Sequence, residues 1–74
     1  MKLYDLEKGD RAVVKRMDTS LSLKNRLASL GVVRGSEISV EGCSLGKGTI
    51  EIMADETLIG IRGDEAKQIE VERV

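Results

Sequence analysis

Histidine is absent from this chain, as are proline, phenylalanine and tryptophan, while cysteine and tyrosine occur once each. Each gap removes a class of chemistry. Without histidine the most frequent general base is missing. Cys43 has no imidazole to activate it as a nucleophile. A lone cysteine forms no internal disulfide, which fits a reducing compartment. A structural zinc site built on one cysteine and no histidine would need ligands from another subunit. Tyr4 is the only stacking platform, whereas binders of single-stranded nucleic acid use several aromatics. No run approaches the roughly 20 apolar residues of a membrane-spanning helix. The opening "MKLYDLEKGD" lacks the apolar core of a signal peptide. These absences lead us to expect a soluble cytoplasmic protein, not an enzyme, with no cofactor.

What is present suits a small folded domain. The 74 residues are 41% hydrophobic and 34% charged, and residues 1–74 read as one domain. At this length, folding buries roughly 62% of the chain's surface, enough for a compact core. Net charge is -1, so bulk electrostatics select no partner. The halves differ, however. Residues 1–37 hold eight basic and five acidic side chains, and residues 38–74 hold four basic and eight acidic. With proline absent, the eight glycines supply most of the punctuation.

Periodicity assigns the elements. Leu3 and Leu6 suit one apolar turn. "RAVVKRM" is rich in β-branched residues and reads as a strand with Ala12 and Val14 inward and Val13 half covered. Leu23, Leu27 and Leu30 then recur at helical spacing, with Ser20 or Ser22 available as N-cap. A helix this short must dock on another element. Four alternating segments come next, with inward pairs Ile38 and Val40, Ile50 and Ile52, Ile59 and Ile61, and Ile69 and Val71. One apolar and one polar face per strand is the pattern of an antiparallel sheet wet on one side. Gly60, inside a strand, suggests a bend or a close backbone approach. "GDEAKQ" suits a tight turn. The expected fold is mainly β: a small antiparallel barrel of five to six strands with one short helix after the first strand.

"RLASLGVVRG" joins the helix to the next strand. Gly31 comes directly after the last apolar residue of the stripe, where a left-handed residue ends a helix. A Schellman stop would set Val32 against Leu27. Gly35 serves the turn before "SEISV". Neither glycine opens a helix, and no Lys-Ser or Lys-Thr pair comes after them, so this is not a phosphate loop.

In order, "KGDRAVV", "RLASLGVVRGSEISV", "IEI", "LIGIRG" and "AKQIEV" resemble the ferrous iron transport protein A (FeoA) family over essentially the whole chain. Arg34 stands where many members carry proline. The resemblance implies an SH3-like small barrel, similar in fold to the C-terminal domain of iron-dependent repressors. It also implies a cytoplasmic accessory of ferrous iron uptake, peripheral to the inner membrane through its partner. That partner would be the membrane permease FeoB, which carries a cytoplasmic GTP-binding domain.

The residues themselves leave two kinds of surface. Asp55-Glu56 and Asp64-Glu65 are adjacent acids without the regular oxygen spacing of a hard-cation loop. For protein contact, the candidates are apolar side chains the core does not need. Leu21 precedes the helix, about 160° from its stripe. Leu45 sits at a loop tip, and Met17 and Met53 fall on the outer parity of their strands. Arg26 and Arg34 add charge. Self-association would use the same residues. The alternative is a nucleic-acid or ribosome-binding barrel, with Arg11, Lys15, Arg16, Lys24, Arg26 and Arg34 as its basic patch.

Overall fold

The computed structural model describes all residues, 1–74. A single turn of 3-10 helix at Leu3–Asp5 opens the chain and buries Leu3. Strand β1 (Arg11–Met17) is next, then helix α1 (Leu21–Ser29), β2 (Glu37–Cys43), β3 (Thr49–Ala54) and β4 (Thr57–Arg62). A four-residue helix α2 (Gly63–Ala66) leads into β5 (Ile69–Arg73).

Helix α1 starts and stops where its side chains dictate. The Ser20 hydroxyl accepts from the Leu23 N–H at 3.2 Å, satisfying a first-turn donor that has no carbonyl partner. Ser22 lies inside the helix. At the far end, Gly31 N–H donates to Ala28 O at 3.0 Å and Val32 N–H to Leu27 O at 2.8 Å. This is the Schellman pair, with Gly31 at φ +91° as its left-handed residue. Val32 is buried against the same core as Leu27. Gly35, at φ +93°, donates to Val14 O at 2.8 Å and turns the chain into β2.

The strands form one antiparallel sheet in the order β4-β3-β2-β1-β5. The inward residues expected from alternation are all buried, and they share one cluster of 17 apolar side chains with Leu3, Leu6, Leu23, Leu27 and Val32. No polar or charged residue is buried. The sheet wraps this core in the SH3-like manner. The folded surface is 4469 Å², close to the roughly 4,500 Å² that area scaling gives for this mass. Lys2 bridges Glu70, and Val71 N–H donates to Met1 O at 2.8 Å, so the first residues run beside β5.

The structure corrects the sequence reading at several places. Met17 does not fall on the outer face; it packs partly buried against the core. The cause is a bulge: Val14 pairs Val71 and Arg16 pairs Glu70, leaving Lys15 as an extra residue. An extra residue reverses the in–out parity of the residues after it. Leu21 is the first residue of α1 rather than a residue before it. "GDEAKQ" contains α2, with Ala66 buried, where a plain turn was expected. Gly60 marks no close approach, because a Cβ there would meet only Thr49 Cγ2, at 3.7 Å.

Candidate partner-binding surface

The bulge shapes the most distinctive surface of the molecule. The β1–β2 ladder covers only Arg11–Val13 against Glu37–Ser39 and closes with Val14 N–H donating to Ser36 O at 2.9 Å. Beyond Val14, β1 continues beside β5 alone. The space that β2 would have filled is a shallow groove of about 400 Å³ lined by Lys15, Arg16, Met17, Lys24 and Arg34. Its sides come from three elements: the end of β1, helix α1 and the turn into β2.

Charge is unevenly satisfied around this groove. Lys15 lies 3.5 Å from Glu72, and Arg16 lies 3.0 Å from Asp18. Those carboxylates stand outside the lining. Lys24 and Arg34 have no acidic partner within salt-bridge distance. Both are exposed. Met17 is the single apolar side chain of the lining.

A second depression, about 410 Å³, is lined by Arg11, Glu37, Ile38, Ser39, Met53 and Asp55. Its main charges are already paired, since Arg11 donates to Glu37 Oε2 through Nη2 at 2.9 Å and Nε at 3.2 Å. Met53 is half-buried there and faces Leu58 across the β3–β4 ladder. Leu58 is 54% exposed, an exposed apolar side chain that sequence reasoning passed over. The signal was there: in "TLIGIR", Leu58 alternates with the inward Ile59.

Of the six sequence candidates, the fold thus brings Met17 and Arg34 together. Met53 stands in the other depression. Leu21 is 72% exposed and Leu45 is fully exposed, each outside both grooves. Arg26 reaches Glu65 at 3.9 Å. The six-residue basic patch divides in the same way. Lys15, Arg16, Lys24 and Arg34 converge, whereas Arg11 and Arg26 turn to acids of their own. Cys43 is exposed at the end of β2. Two ammonium groups lie over the Tyr4 ring, Lys47 Nζ 5.2 Å and Lys67 Nζ 4.6 Å from its centre. Lys47 also donates to Tyr4 O at 2.9 Å and Leu6 O at 3.2 Å, so its charge ties the loop before β3 to the opening turn.

Residues 1–73 match the family model of the FeoA domain. The chain belongs to the FeoA domain family. That family is associated with ferrous iron transport. A curated relative, the "Putative Fe(2+) transport protein A" of Campylobacter jejuni, is 35% identical over 71 residues, covering 96% of each chain. The solution structure of the FeoA protein from Chlorobium tepidum superposes with a TM-score of 0.95 at 34% identity, covering all of this chain and 70% of that one. A manganese-dependent transcriptional repressor matches with a TM-score of 0.87 over 99% of this chain and 40% of its own, at 23% identity. That last likeness is one of fold. The FeoA domain here has no helix long and apolar enough to cross a membrane.

Proposed function

We propose that this FeoA domain is a cytoplasmic accessory of ferrous iron uptake that acts by binding the membrane permease FeoB. The observation that carries the reading is the match to the FeoA family along nearly the whole chain, with an Fe(2+) transport protein as a relative of similar length. The chain works as one domain in this reading. Of the candidates Met17, Leu21, Leu45, Met53, Arg26 and Arg34, its contact surface centres on Met17 and Arg34, which share one groove. A binding role also suits the chemistry available. A chain without histidine lacks the usual proton-transfer residue, and its shallow grooves fit protein contact better than an enclosed reaction site.

The test is capture of an identified permease. Purified protein, immobilised, is exposed to detergent-solubilised membranes containing a FeoB-type permease. Enrichment of that permease over a control barrel with a scrambled surface is the expected result. Recovery equal to the control overturns the reading.

A further inference from the structure

We propose that the groove between the end of β1, α1 and the turn at Arg34 binds an acidic peptide segment of a protein partner, with carboxylates on Lys24 and Arg34 and an apolar side chain against Met17. The assignment deepens the accessory reading above and rests on it for the partner's biological setting.

Charge complementarity selects the occupant. Four cations line the groove and no acid does. Lys24 and Arg34 have no ion pair, so an incoming carboxylate displaces nothing from them. Lys15 and Arg16 are held only by Glu72 and Asp18, whose side chains are 72% and 50% exposed. Exposed pairs of this kind are worth about 0–1 kcal/mol, so they exchange readily for a partner's carboxylates. The Arg34 guanidinium presents a planar fork suited to bidentate carboxylate binding. Met17 supplies an adaptable apolar floor. The bulge at Lys15 is what makes this possible: it leaves Lys15 and Arg16 both exposed while Met17 turns inward.

A nucleic-acid strand fits less well. No aromatic side chain lines the groove, and Tyr4 stands outside it with the Lys47 and Lys67 ammonium groups over its ring. Nor do the cations run on as a track for successive phosphates. Arg11 is committed to Glu37 and Arg26 approaches Glu65.

The test uses the full chain, isotope-labelled, in an NMR titration with a capped hexapeptide of four glutamates flanking two leucines. Shifts should concentrate at Lys15 to Met17, Lys24 and Arg34, and the affinity should fall as salt rises. Lys24→Glu and Arg34→Glu should each weaken binding about tenfold or more while keeping a folded spectrum. Lys8→Glu, the same charge change outside the groove, should bind as the wild type. A glutamine version of the peptide should not bind. Absent or scattered shifts, or unchanged affinity in both groove variants, overturn the proposal. So does tighter binding of a single-stranded oligonucleotide at the same residues. The titration contains no permease, so its failure is separate from failure of permease capture.

Discussion

Gly63 occupies a position that admits no side chain. A Cβ there would lie 2.3 Å from the Lys47 carbonyl oxygen and 3.2 Å from Tyr4 Cε1. The first of these is backbone and cannot swing aside. Gly63→Ala should therefore cost about 1–3 kcal/mol, as overpacking does, read as a lower urea midpoint. Glu70 shows the same scale in electrostatics. The N-terminal ammonium and then Lys2 bond its carboxylate and hold its pKa at about 2, below the ordinary 4.5. A lowered carboxylate pKa stabilises the fold above the ordinary value, and the benefit disappears as pH falls through the folded one. The stability gap between wild type and Glu70→Gln should be open near neutral pH, narrow below about pH 4.5 and close by about pH 2, measurable by denaturant titration at each pH. Asp10 is also lowered, chiefly by the Glu7 N–H; partial desolvation opposes this, and Arg73 adds to it. Its contribution is lost in acid with the same sign.

Among the elements, the strands were the most legible from sequence and the irregularities the least. Alternation placed Ile38, Val40, Ile50, Ile52, Ile59, Ile61, Ile69 and Val71 correctly because each pair faces one shared core. Leucine spacing likewise placed Leu23 and Leu27 on the buried face of α1, and Gly31 at its stop. Leu30, the third leucine of the expected stripe, is instead the C-cap residue and is exposed, because the chain leaves helical geometry there. The bulge was hidden because nothing in "RAVVKRM" says which β5 residue Arg16 will meet; that is set across the sheet. Helix α2 was hidden because four residues are too few for a periodic signal, and Ala66 is buried only once distant parts of the chain assemble. The basic groove shared this difficulty, since Lys15, Lys24 and Arg34 come from three elements. For α1 itself, Ser20→Ala should lower stability by about 1 kcal/mol through loss of the cap. Ser22→Ala, on an exposed helix position, should stay within about 0.5 kcal/mol of wild type. Paired thermal melts would separate the two serines.

For the whole molecule, stability and binding reside in different side chains. All buried residues are apolar or glycine, and the groove's cations lie outside that set. Lys24→Glu combined with Arg34→Glu should leave the unfolding free energy within about 0.5 kcal/mol of wild type, as expected for exposed sites without partners. Ile52→Ala, fully buried, should cost about 2–5 kcal/mol. Chemical denaturation of both variants checks the contrast. The run of Met1 and Lys2 beside Glu70 and Val71 has a consequence for chain connectivity. Because Met1 lies beside Val71, three residues before Val74, a short linker can join Val74 back to Met1 and the chain can be cut elsewhere. Reopening at the exposed Asp55–Glu56 turn would give a circular permutant with the same sheet order and the same groove, its new ends on the hairpin between β3 and β4.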